Sequence, residues 1–349
     1  MRVLHLPIVI CNQPWEMSKA LNRIGVYSRY LILDNLDAGW LLPGKPDYNF
    51  NVRHRPKDEW DRQIIWDLRR FFVYALLNFS IFHYHSNFPL FEDYSDLKIL
   101  KKFRKKIVTS YWGCDVRDPK ECKKYAFNTC QICTLDCPSE QAKKRMDIFS
   151  KYADIKLVSM PELLEYVPDS VYWPAVVDSE FWSPAPGSKN KTADSKSFKI
   201  MHNVGNKNIR GDAKGTRAIL AAVDRLQRAG FKIEFISLDK VPNRELKFFY
   251  EKSDLVIEQL RAGWHGVTAL EAMSMQKPVI SYIRDDLKKY DLELPVISAN
   301  PNNIYMELKK LLSNPKELLA IGQRSRHYVV KHRDSTTLAK KLVDIYSRI

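Results

Sequence analysis

Short apolar stretches alternate with amphipathic helical ones along nearly the whole chain, and that alternation leaves few folds open. In the first half, residues 2–7, 30–33, 80–85, 106–112, 155–160 and 170–175 read as strands. Between them Met17, Leu21 and Ile24 recur at helical spacing, and residues 60–78, 96–105 and 139–152 also carry a helical pattern. The second half repeats the scheme, with strands at 199–204, 231–238, 254–258 and 277–283. Its helices fall at 214–229, 243–252, 302–312, 315–332 and 335–349. Strand and helix in alternation predict parallel sheets covered by helices, an α/β architecture.

A chain of 349 residues exceeds one ordinary core and suits two such domains. Residues 184–198 are polar, rich in Pro, Gly and Ser, and lack apolar periodicity, which predicts a linker. The expected division is therefore 1–183, the linker, and 199–334, with the helix at 335–349 expected to pack back on the first domain. Residues 35–57, rich in Asp, Asn, Pro and Gly, read as loop.

Hydrophobic residues make up 45% and charged residues 28%, the composition of a folded globular chain and not a disordered one. No apolar run reaches roughly 18 residues, so no transmembrane helix is expected. The opening residues read as a first strand and not a signal peptide, which predicts a cytoplasmic protein. The net charge of +15 favours nucleic acid, an anionic membrane surface or anionic small substrates. No helix-turn-helix, zinc-finger or aromatic–basic RNA-binding pattern is present, so nucleic acid is set aside. A phosphate-bearing substrate and peripheral contact with the inner face of a membrane remain.

Three loops follow strands and carry chemistry. The first opens residues 262–280, where Gly263 and Gly266 allow a sharp turn and close backbone approach. A helix starts near Val267, and its free N–H groups favour anions. Glu271 is the only carboxylate on that helix, and Pro278, Val279 and Ile280 lead into a strand. The layout suits a diphosphate at the loop and a hydroxylated group at Glu271; an ordinary loop–helix–strand unit is the alternative. The second loop, residues 205–216, brings Lys207, Arg210 and Lys214 beside three glycines, a suitable counter-charge for a diphosphate unless it is a solvated surface loop. Neither loop has the spacing of a dinucleotide fingerprint or a P-loop. In the third, Asp115 and Arg117 lie just past a strand's carboxyl end, where ligands of open α/β sheets bind. The alternative there is an ion pair holding a turn. His83 and His85, two apart on another strand, share one face.

Five of the six cysteines fall within residues 114–137. Cys122, Cys130, Cys133 and Cys137 follow the spacing C-x7-C-x2-C-x3-C, which predicts an insertion in the first domain stapled by a structural zinc. Free thiols or a labile disulfide, and an iron–sulfur cluster, are the alternatives.

Together these features resemble the family 4 glycosyltransferases of GT-B fold. The resemblance is strongest in Gly263-Trp264-His265-Gly266-Val267, the run Leu270-Glu271-Ala272-Met273, and Pro278-Val279-Ile280. Lys214-Gly215-Thr216, the turn from Trp112 to Arg117, and Val177-Asp178 with Phe181 and Pro184 support it, as do the C-terminal helices ending in Ile345-Tyr346. The resemblance implies two Rossmann-like domains facing a cleft and a retaining transfer of a hexose from a nucleotide-diphospho-sugar to a glycan or lipid-linked acceptor. Cell-envelope polysaccharide or glycoconjugate synthesis is the implied setting. Glu271 would hold the donor ribose; Lys207, Arg210, Lys214 and Gly266, with the amides after it, would hold the diphosphate. Gly263, Trp264, His265 and Val267 would form the donor loop. Asp115 and His85 would stand near the reaction centre, with no cofactor required.

Two departures stand out. The family often carries a second glutamate eight residues before Glu271, where this chain has Gly263; Glu258 lies a few residues earlier. The position before Gly113 is Trp112, not the histidine expected there. A non-catalytic relative that binds a sugar nucleotide or a partner is the rival reading, and a GT-B epimerase or phosphorylase is a third.

Overall fold

The computed structural model describes residues 1–33, 44–50, 62–130, 132–133, 139–186, 197–205 and 211–349. The chain forms two compact units. The first takes Met1–Arg117, Pro138–Val176 and Ser335–Ile349; the second takes Asp118–Cys137 and Val177–Asp334.

The first unit is built on seven parallel strands: β1 (Arg2–Leu6), β2 (Tyr27–Ile32), β3 (Tyr48–Asn49), β4 (Ile81–His85), β5 (Lys106–Tyr111), β6 (Ile155–Val158) and β7 (Val171–Tyr172). Their order is β3-β2-β1-β4-β5-β6-β7, so winding reverses between β1 and β4. Crevices at such reversals, beyond the strands' carboxyl ends, are where α/β sheets take ligands. One face of the sheet packs Leu4, Phe82 and Ile107 against Leu68, Phe72, Leu76, Leu97 and Phe149. The other packs Val3, Ile81 and Val108 against Met17 and Leu21 of helix Gln13–Arg23 and against Leu338, Leu342 and Tyr346 of helix Ser335–Ser347.

The second unit has five parallel strands: β8 (Phe198–Gly205), β9 (Ile233–Asp239), β10 (Leu255–Ile257), β11 (Val279–Ser281) and β12 (Ile297–Ser298), in the order β12-β11-β10-β8-β9. Here the reversal lies between β8 and β10. Leu255, Val256 and Ile257 are all buried, the continuous apolar run of a strand covered on both faces. Helix Thr216–Arg228 buries Ile219, Ala222, Val223 and Leu226, and Leu220, one residue off that face, is exposed.

Helix Pro315–His332 packs against the turn after helix Val267–Ser274, and Gly322 faces that turn. A Cβ at Gly322 would lie 2.5 Å from the backbone oxygen of Gln276. Gly322→Ala is therefore expected to destabilise the chain by about 1–3 kcal/mol despite alanine's better helix propensity, as read by urea unfolding. A more stable variant would show that the two helices separate freely.

The division differs from the expected one in two places. The chain leaves the first unit after Val176, not at 184–198, and Val177 forms a parallel bridge with Asp334. Residues 118–137 join the second unit and not the first: the Arg284 guanidinium lies 3.7 Å over the Tyr125 ring, and Phe127 meets Tyr282 edge to face. These aromatic contacts tie the segment to the second unit, and composition carries no record of that partner. Strand β3, within residues 35–57 that read as loop, and β12 are not expected from the sequence; each is two residues long and is defined by its neighbour, β2 or β11. No helix among the described residues is long and apolar enough to cross a membrane.

Candidate functional site

The carboxyl ends of β8 and β10 gather the charged groups of the second unit. Glu258 directly follows β10 and is buried. Both its carboxylate oxygens accept the Gly266 N–H, each at 2.9 Å, and Oε2 also accepts the Ser281 hydroxyl at 3.3 Å. Gly266 is the residue before helix Val267–Ser274, so Glu258 occupies the anion position at that helix's start. The glycine is explained by the same contact, since a Cβ there would lie 2.6 Å from Glu258 Oε1. The close approach predicted at Gly266 is thus made to the protein's own carboxylate. Burial pushes the Glu258 carboxyl up, and Lys214 and the Gly266 N–H oppose the rise. Lys214 donates from Nζ to the Asn203 carbonyl at 2.8 Å, at the end of β8.

Glu271 is buried one turn into the same helix. Asn243 Nδ2 donates to its Oε1 at 2.9 Å, and the Tyr250 hydroxyl donates to its Oε2 at 3.0 Å. Burial pushes the Glu271 carboxyl up to about 7 against the pull of those two bonds, with Glu258 adding to the rise and Lys214 opposing it. A carboxylate has about four acceptor sites, so two bonds leave room for a ligand's hydroxyls.

The loop before the helix turns at Gly263, whose φ of +74° is the left-handed conformation that favours glycine. Trp264 is fully buried, with its carbonyl accepting Gln259 Nε2 at 2.7 Å. His265 is buried beside it; burial, with Arg333 adding, pushes its imidazole down to about 3, and Nε2 has no partner among the described residues. Val267 opens the helix. Lys207 and Arg210 lie outside the described residues.

In the first unit, His85 ends β4 beside the β1/β4 reversal. Trp112 Nε1 can only donate, and it points at His85 Nδ1 at 3.3 Å. Burial holds this imidazole neutral, so its proton sits on Nε2, facing His5 Nδ1 at 3.1 Å. His5 must then carry its own proton on Nε2, a buried donor with no acceptor among the described residues. His83 is held by the Tyr346 hydroxyl at 2.6 Å and Ser110 Oγ at 2.7 Å. The three histidines place ring nitrogens within 4.8 Å of one another, the spacing of a metal site. The rings of His83 and His85 are stacked at 4.5 Å and 16°, however. Their lone pairs lie in separate, nearly parallel planes and do not meet on one ion, so the cluster is a hydrogen-bonded stack.

Asp115 caps the end of β5. Its carboxylate accepts the Trp112 N–H at 2.9 and 3.0 Å and the Gly113 N–H at 2.6 Å. Burial pushes its carboxyl up and the two amides pull it down. The expected alternative, an ion pair with Arg117, does not form, because Arg117 pairs with Glu162. His85 thus spends both ring nitrogens on the protein, whereas Asp115 gives part of its acceptor capacity to the turn.

No family model and no curated protein sequence matches the chain. Solved structures do. A sucrose-phosphate synthase from Thermosynechococcus elongatus superposes with a TM-score of 0.66 at 13% identity, over 100% of this chain and 99% of that one. The Anabaena protein HepE, in complex with UDP-glucose, gives 0.61 at 10% over the full length of both chains. A UDP-GlcNAc 2-epimerase from Neisseria meningitidis, bound to UDP-GlcNAc, gives 0.55 at 11%, again over both full chains. The chain has the GT-B fold.

Within this GT-B chain the cysteines contribute a pair. The sulfurs of Cys122 and Cys130 lie 3.3 Å apart, whereas Cys133 completes no trio of metal ligands among the described residues. Cys137 lies outside the described residues. Sequence reasoning missed His202, Asn243, Tyr250 and His5. His202 ties β8 to the next helix, with Nδ1 donating to the Ile257 carbonyl at 2.8 Å and Nε2 accepting the Thr216 hydroxyl at 2.9 Å. None of the four carries a local signal, because each partner is supplied by another element.

Proposed function

We propose that this protein is a glycosyltransferase that moves a hexose from a nucleotide-diphospho-sugar to a glycan or lipid-linked acceptor, with retention at the transferred carbon. Cell-envelope polysaccharide or glycoconjugate synthesis is the setting, at the cytoplasmic face of an anionic membrane. The observation that carries the reading is the meeting of Lys214, Glu258 and Glu271 at the β8/β10 reversal, in a fold shared with UDP-sugar complexes. Glu271 is assigned to the ribose hydroxyls, since two acceptor oxygens match a vicinal diol. Lys207, Arg210 and Lys214 are assigned to the diphosphate, whose charge grows as it leaves. Gly266 already gives its N–H to Glu258, so the cations and not this amide carry the diphosphate. Gly263, Trp264, His265 and Val267 border the sugar, and His85 and Asp115 mark the acceptor side in the first unit. The transfer needs no cofactor in this reading, and zinc at Cys122, Cys130, Cys133 and Cys137 would be a structural staple.

Two observations favour a non-catalytic relative: Gly263 stands where the family often has a carboxylate, and both ring nitrogens of His85 are engaged by the protein. The likeness to an epimerase adds a third outcome. Titration calorimetry with a panel of nucleoside diphosphates is expected to show binding by the wild type and at least about tenfold weaker binding by Glu271→Ala. Equal affinities would remove Glu271 from the donor site, and no binding by the wild type would sink the reading. Product analysis with nucleotide sugars then separates transfer, epimerisation and simple binding.

A further inference from the structure

Helix Arg62–Asn78 of the first unit is apolar on two faces. Leu68, Phe72, Ala75 and Leu76 point into the core. Trp66, Val73 and Leu77 recur at spacings of seven and four, on the side turned away from it. They are 58%, 57% and 78% exposed, and Tyr74 at 41% borders them. Side chains of this size are rarely left in water as a contiguous stripe unless something covers them.

The charges beside the stripe indicate what does. Arg62, Arg69 and Arg70 are exposed and lie within one turn of Trp66. The helix has a single carboxylate, Asp67, which accepts a bond from Gln63. An exposed tryptophan and aliphatic residues set among arginines form the pattern of a helix lying in a lipid headgroup layer, and the whole chain is strongly cationic.

We propose that the outer face of helix Arg62–Asn78 docks on an anionic lipid surface, with Trp66, Val73 and Leu77 entering the headgroup–acyl boundary and the three arginines holding lipid phosphates. This deepens the membrane clause of the functional reading, and it stands apart from the donor-site assignments.

Sedimentation of the full-length protein with phosphatidylcholine vesicles, with and without phosphatidylglycerol, tests it. Binding is expected only with phosphatidylglycerol and is expected to weaken as salt is raised. Each arginine near such a surface is worth about fivefold, so Arg69→Gln/Arg70→Gln should weaken partitioning by about 30-fold. Trp66→Ser/Leu77→Ser should weaken it by at least about tenfold without altering circular dichroism or the melting point. Wild-type partitioning by both folded variants would overturn the proposal, as would equal binding to neutral vesicles. A dimer that Leu77→Ser dissociates, with no vesicle binding, would assign the face to a second copy instead. Nucleoside diphosphate affinity should be unchanged in these variants, so failure here and failure of the donor site are distinguishable.

Discussion

Replacing Glu258 with alanine is expected to destabilise the second unit by about 3 kcal/mol, the largest effect of a single substitution at this site. The half-buried Gly266 N–H would lose its acceptor, at a cost of about 1–3 kcal/mol. The start of helix Val267–Ser274 would also lose a carboxylate worth up to about 1 kcal/mol there. Relief of the cost of burying the charge offsets part of this, and the cavity left behind adds to it. Gly266→Ala attacks the same contact from the other side, because its Cβ would meet Glu258 Oε1. The two substitutions should therefore be clearly less than additive in a double-mutant cycle by urea unfolding. Additive losses would show that Glu258 and Gly266 act separately.

Glu271→Gln is expected to stabilise the protein, and to do so only above mildly acidic pH. The Glu271 carboxyl is raised from an ordinary value of 4.5 to about 7 in the folded chain. Below 4.5 folded and unfolded states both hold the proton, and the group contributes nothing. As pH rises from there to about 7 the unfolded state releases its proton first, so folding loses about 1.4 kcal/mol per pH unit. Above about 7 the whole penalty of about 3 kcal/mol is in place. Glutamine keeps an acceptor for Asn243 and a polar group for Tyr250 without the charge. The variant should thus exceed the wild type by about 3 kcal/mol at pH 8 and by about 1 kcal/mol at pH 5. A difference independent of pH would mean that Glu271 titrates normally in the folded protein. The same variant supplies a folded control for the binding comparison with Glu271→Ala.

Part of the site is legible in the sequence. The loop at Gly263 and the start of the helix at Val267 follow from glycine placement and apolar spacing within some twenty residues. Lys214 is legible as a cation at a helix entrance, and His85 as the end of a strand. The partners are not legible. Glu258 reads as a lone carboxylate at the end of a short strand until β10 sets it against Gly266. Glu271 reads as a free ligand group until Asn243 and Tyr250 arrive from two other elements. The alternative for Asp115 and Arg117, an ion pair holding a turn, gives way because each finds a different partner.

By itself the sequence determined the succession of strands and helices, the parallel two-unit architecture and the places where helices begin. Those depend on backbone geometry and on which side chains leave water, and both are written locally. Tertiary structure alone decided the strand orders, the unit that residues 118–137 join, and the partners of each buried charge. Burial removes water as an alternative partner, so a polar group takes the donor or acceptor that strand order brings to it. Gly266 shows the difference: its place before a helix is local, but the carboxylate that requires a glycine there comes from another strand.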